Sequence, residues 1–229
     1  MSLFPAITHR RGFLGSLAGS AAAVGLGGLV PQALMAAPEA GASAPEGDAA
    51  FNAWLDGIKG KYRQLYDATE TNGGLPLIWP LVFLMTGAPA YGVPESELGV
   101  VVVLRHSGIP IAFKDAVWEK YKFGEVFKVN DPATNAPSVR NIYTNLKPGD
   151  MPFPDAALEK LQARGVKFGV CAMAIQFYSG VLAKQMNMDA AAVKQEWLSG
   201  VLPGIQVVPS GVVAVNGAQV HGCHYCFAG

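Results

Sequence analysis

Cysteine and histidine are scarce in this 229-residue chain, three and four respectively, and only 15% of its residues are charged. Lys plus Arg (17) balance Asp plus Glu (17), and no basic run is interleaved with aromatic residues, so nucleic acid is not an expected partner. The chain also lacks a Gly-x-Ser-x-Gly elbow, a His-Glu-x-x-His pair and a Gly-x-x-x-x-Gly-Lys phosphate loop. An ordinary hydrolase is therefore not expected. No internal repeat is visible. What the chain does have is apolar residue, 51% of the total. That is enough for a sizeable core in one α/β domain with some extra segments.

The first segment, THRRGFLGSLAGSAAAVGLGGLVPQALMAA, places Arg10 and Arg11 before Phe13 and Leu14 and a Gly/Ala-rich run ending near Val30. Charged, apolar and small-residue regions in that order predict an export signal over residues 1–37. Paired arginines followed by Gly-Phe-Leu are similar to the twin-arginine consensus. Six glycines between Gly12 and Gly28 make the run a poor lipid-facing helix, so no membrane span is expected in the mature form. Processing is expected near Ala36 or at Ala40–Ala42, with an uncleaved anchor as the alternative. The compartment implied is the periplasm, where thiols meet oxidants. Residues 38–50, rich in Pro, Gly, Ala and Ser, read as a linker.

From 51 to 229 the pattern predicts a single domain. Phe51, Trp54, Leu55, Ile58 and Tyr62 recur at helical spacing. YRQLYDAT reads as a first strand closed by the Thr71–Gly74 turn. LPLIWPLVFLMTGAPAYG is apolar all round, as a buried helix would be, with Pro80 placed in its first turn. LGVVVVLRH reads as a central parallel strand buried on both faces. IAFKDAVWEKYKFGE reads as one helix. An irregular insertion over 128–154, rich in Pro and Asn, is expected to be a lid or a subunit-contact arm. FPDAALEKLQARG reads as a helix started by Asp155 and stopped by Gly165. A strand at Val166–Val170, helices at Ala172–Asn187 and Asp189–Gly200, a strand at Gly204–Val208, a helix at Ser210–Gly222 and a last short strand at Tyr225–Ala228 complete the pattern. Strands separated by helices predict a three-layer α/β sandwich with a five-stranded, mainly parallel sheet.

Ligands of open parallel sheets gather outside the carboxyl ends of the strands. That rule selects Asn72–Gly74, Arg105–Gly108, Cys171 and Pro209–Gly211. Cys171 ends a strand and begins a helix, a setting that favours thiolate, although a free cysteine can equally pack as a small hydrophobe. His106 reads as a proton donor to Cys171, a metal ligand or a polar group satisfied by nearby backbone. Arg105 supplies positive potential or pairs with a surface carboxylate. The tail HGCHYCFAG offers His221, Cys223, His224 and Cys226. It reads as a disulfide or redox pair, a metal site, or a sulfur-handling partner for Cys171.

With VVVLRHSGIP after the second strand, GVKFGVCAMA around Cys171 and LPGIQVVPSGVVAVNGAQVHG near the end, the stretch from about Tyr62 onward resembles the DsrE/DsrF-like family of sulfur-relay proteins, which includes the YchN-like proteins. This chain is similar to an exported, twin-arginine-signal branch of it. The resemblance implies a parallel α/β fold, a homo-oligomer, and sulfane sulfur carried as a persulfide on Cys171. Its partners would be sulfur donor and acceptor proteins or small thiols, with no cofactor. Arg105 and His106 would stabilise charge on sulfur, and Cys223 and Cys226 would resolve the persulfide. Whether turnover makes the protein an enzyme stays open. The alternatives are a metal or haem binder using His106, Cys171 and Met173 or the His221–Cys226 cluster, and a non-catalytic oligomeric binder of small ligands with an inert Cys171.

Overall fold

A computed structural model describes residues 48–228. The export segment expected at 1–37 and most of the linker lie outside the described residues. Helix α1 (Ala49–Asp56) begins inside the expected linker because Asp48 caps it, its carboxylate accepting the Phe51 N–H at 3.0 Å. A cap of this kind is worth about 1 kcal/mol.

Five parallel strands form one sheet: β1 (Tyr62–Glu70), β2 (Leu98–Ser107), β3 (Lys167–Cys171), β4 (Ile205–Val208) and β5 (His224–Phe227), in the order β4-β3-β2-β1-β5. All four pairings are parallel, so the sheet is wholly rather than mainly parallel. β2 is central, and Val100–Leu104 are buried as both faces of the sheet require.

Helix α2 (Leu75–Tyr91), α3 (Asp115–Lys120), α4 (Phe123–Val126), α5 (Leu158–Ala163), α6 (Ala172–Gln185) and α7 (Ala190–Ser199) are the helices of the connections from β1 through β4. They contribute to the larger core, with Leu77, Trp118, Phe123, Leu161, Ile175 and Trp197. Helix α8 (Gly211–Val220) joins β4 to β5 and shares the smaller core with α1, through Phe51, Trp54, Leu55, Ala214 and Ala218 against Leu65, Val101 and Val103. Alternating side chains of β1 and β2 divide between the two cores, which gives three layers.

Several local expectations are corrected. Pro76, not Pro80, occupies the first turn of α2, and Pro80 lies inside the helix. α2 is not buried all round, since Trp79, Val82 and Met85 are exposed. The stretch Asn72–Tyr91 is long and apolar enough to cross a membrane by length and composition, with 44% of its apolar window buried inside the fold. The segment after β2 is two short helices, because Lys122 takes a left-handed backbone (φ 51°) between them. Asp155 does not cap α5. It lies in a 3-10 turn and pairs with Lys160, and α5 starts only at Leu158.

The 128–154 segment has no helix or regular strand, yet it is firmly held. Arg140 grips Asp150 through two hydrogen bonds (2.8 and 2.6 Å), and the Asn141 amide donates to the Ile111 and Phe113 carbonyls. Ile142, Tyr143 and Met151 enter the larger core.

Candidate functional site

Because all five strands run the same way, the loops after β1, β2, β3 and β4 do open on one edge of the sheet. Within that edge the chain parts at one place. The helix after β3 belongs to the larger core, and the helix after the adjacent β4 belongs to the smaller one. Neighbouring connections that leave toward opposite faces mark the place where ligands of parallel sheets usually gather.

Cys171 stands at that parting. It pairs with Val208 of β4 in register and serves as the N-cap of α6, its sulfur accepting the Ala174 N–H at 3.3 Å. Its backbone is extended (φ −70°, ψ 112°), as an N-cap requires. The residue is buried, with 6% exposure, at the margin of the larger core. At the end of the adjacent β4, Ser210 caps α8 in the same way, accepting the Val213 N–H at 3.2 Å.

Arg105 is held beside Cys171, its neighbour across the β2–β3 pairing that matches Leu104 with Val170. The partner of its guanidinium is not a surface acid but Asp67, which lies within β1 at 1% exposure. Arg105 Nε donates to Asp67 Oδ1 at 2.6 Å and Nη2 donates to Oδ2 at 2.8 Å. Tyr225 of β5 donates its hydroxyl to the same Oδ2 at 2.9 Å. The Asp67 hydrogen bonds and charge hold the Arg105 guanidinium above its ordinary value, so it is cationic at every accessible pH. The arginine stem lies across Gly211, where a Cβ would come within 2.5 Å of Arg105 Cβ. A side chain at 211 would push the arginine out of place.

His106 turns elsewhere. The β1–β2 register slips after Ala68/Leu104, and Glu70 next pairs with Ser107. β2 therefore carries one extra residue, a bulge that re-aims side chains. His106 takes a left-handed backbone there (φ 48°). Its Nδ1 shares a 2.7 Å hydrogen bond with the Ser107 hydroxyl, and its ring meets Tyr178 of α6 edge-on at 6.0 Å. No hydrogen bond joins it to Cys171 among the described residues. The structure thus brings Arg105 to Cys171 and turns His106 toward Ser107 and Tyr178, which line a separate cavity of about 500 Å³ with residues that include Glu70, Phe127 and Lys128.

The C-terminal group does not converge. Cys223 is buried in the smaller core, whereas Cys226 packs against the larger one. Three residues of extended chain separate their Cα atoms by about 10 Å, beyond the roughly 7 Å that a disulfide spans. All three cysteines are free thiols in this structure. Burial pushes the Cys223 thiol up to about 11, with Arg63 opposing, and also raises that of Cys226. His221 bonds the Gly217 carbonyl through Nδ1 and meets Asp56 through Nε2 at 3.3 Å. His224 is exposed, as is Met173 on α6. Among the described residues no three His, Cys, Asp or Glu side chains are grouped to hold a metal ion.

The sequence reading missed Asp67 and Tyr225. A lone acid inside the apolar strand LYDA was the available signal for Asp67, since a buried carboxylate needs a partner. Tyr225 gave none.

No protein-family model matches the chain, and no curated protein matches it. A solved structure described as a protein of unknown function, MTH1491 from Methanobacterium thermoautotrophicum, aligns with 17% identity over 72% of this chain and 98% of its own, with a TM-score of 0.35. That likeness is too slight to bear on function.

Proposed function

We propose that the protein is a periplasmic sulfur carrier that holds sulfane sulfur as a persulfide on Cys171. The observation that carries this reading is the position of the thiol: at the parting of α6 and α8, on a helix N-cap, beside a guanidinium fixed by a buried carboxylate. The similarity of the cysteine and VVPSGV segments to DsrE/DsrF-like sulfur-relay proteins agrees with it.

The transfer balances without an added oxidant. The Cys171 thiolate attacks the outer sulfur of a donor persulfide, R–S–SH. A bond forms between Sγ and that sulfur, the donor S–S bond breaks, and its electron pair leaves with R–S⁻. The reverse reaction passes the sulfur to an acceptor thiolate. Arg105 would balance the negative charge on the outer persulfide sulfur. At 6% exposure the thiol needs a local opening of the edge loops before it meets a donor. The two helices that part there carry exposed apolar side chains, Met173 and Phe177 on α6 and Val212 and Val213 on α8. Such side chains suit a protein donor or acceptor, or a second copy of the chain.

Intact-protein mass spectrometry after incubation with polysulfide tests the reading. Wild type is expected to gain sulfur that a reductant removes, and Cys171→Ser is expected to gain none. Equal gain by the variant would refute the assignment.

A further inference from the structure

We infer that the cavity beyond the bulge is a second binding site, for a small zwitterion of the amino-acid type. It opens at the carboxyl ends of β1 and β2, between the Glu70–Gly73 turn, the Phe127–Lys128 end of α4 and Tyr178 of α6. Its volume, about 500 Å³, falls in the range of small-molecule sites.

Two features set it apart from an ordinary surface hollow. The first is its backbone. Asn72 (φ 38°) and Lys128 (φ 56°) line the cavity, and His106 (φ 48°) adjoins it through Ser107. Three non-glycine residues in left-handed conformations around one hollow are costly, and such conformations concentrate at ligand sites. The second is its charge. Glu70 and Lys128 both line the cavity, and among the described residues neither makes a salt bridge or a side-chain hydrogen bond.

One open anion and one open cation in a single cavity match a ligand that carries both charges. An α-ammonium group would meet Glu70, and an α-carboxylate would meet Lys128. The Ser107 and Tyr178 hydroxyls, 3.4 Å apart, offer neutral hydrogen bonds. The Phe127 and Tyr178 rings, in edge contact at 5.0 Å, give the ligand an apolar wall. A simple anion would leave Glu70 repelling it, and a simple cation would face Lys128.

The inference stands apart from Cys171, and its test keeps the two separate. Saturation-transfer NMR of the full chain with a mixture of the proteinogenic amino acids identifies any binder, and calorimetry measures its affinity. The expected result is saturable binding by at least one of them, at least tenfold weaker in Glu70→Gln and in Lys128→Gln and unchanged in Cys171→Ser. Analogues of the binder lacking its ammonium or its carboxylate should bind as weakly as the variants do. Both substituted residues are exposed, and thermal melts verify that the variants fold. No binding by any amino acid at millimolar concentration would overturn the inference, as would binding that both charge variants leave intact.

Discussion

Two settings share one edge of the sheet, and they are built on opposite plans. The setting of Cys171 is buried and internally satisfied. Its arginine is clamped by a carboxylate that is itself 1% exposed, and its sulfur already takes a backbone N–H. The cavity at Tyr178 is open and unsatisfied, with both of its charges free of protein partners among the described residues. A closed, prearranged setting suits a covalent step on a fixed atom, because the charges it needs are in place beforehand. An open, polar setting suits reversible capture of something that brings its own charges. A one-residue bulge between Arg105 and Ser107 separates the two.

The contrast can be broken first at the sulfur. Cys171→Ser should abolish sulfur loading and leave the cavity's binding untouched. Next is the clamp. Asp67→Asn removes the charge that pairs with Arg105 and should cost about 2–3 kcal/mol in urea unfolding, the lower end for a largely buried pair because Arg105 keeps some solvent. The companion variant Glu70→Gln, at the open cavity, should change stability by no more than about 0.5 kcal/mol. Equal losses from the two would erase the distinction between the satisfied setting of Cys171 and the unsatisfied cavity.

A pH effect sharpens the picture at the C-terminal strand. The Cys223 thiol is raised by burial to about 11 in the folded chain, from an ordinary value near 9. Between those values the unfolded chain has lost the proton and the folded chain has kept it. Stability therefore falls as pH rises from about 9 to 11, by something on the order of 2 kcal/mol. Cys223→Ala should flatten that part of the stability profile relative to wild type, measured by denaturant midpoints at stepped pH. The smallest expected effect is at Tyr225. Tyr225→Phe removes one hydrogen bond to Asp67 and should cost about 1 kcal/mol, leaving the paired Asp67 and Arg105 in place.

Much of this architecture was legible in the residues. The Val-rich run Val100–Val103 marked the central strand because a strand buried on both faces has no polar positions to alternate. The helices expected at Asp189–Gly200 and Ser210–Gly222 do start there, and the first residue of each range proves to be the N-cap. Cys171 was placed at a strand-to-helix seam by the change of period around it, and it lies there. Other features left no trace. The left-handed turns at His106 and Lys122 occur at residues that do not advertise them, so neither the bulge nor the break between α3 and α4 could be foreseen. The pairing of Asp67 with Arg105 spans 38 positions and depends on strand order. The close spacing of Cys223 and Cys226 does not bring their thiols together, for a simple reason. Residues three apart in an extended chain face opposite ways, and two cores on opposite sides of the sheet then keep the thiols apart.

Tandem mass spectrometry that maps sulfur adducts on each cysteine, after a brief polysulfide pulse on the folded full-length chain, decides whether Cys171 is the carrier. One added sulfur is expected on Cys171 ahead of any on Cys226 or Cys223. Adducts that accumulate on Cys226 while Cys171 stays unmodified would contradict it.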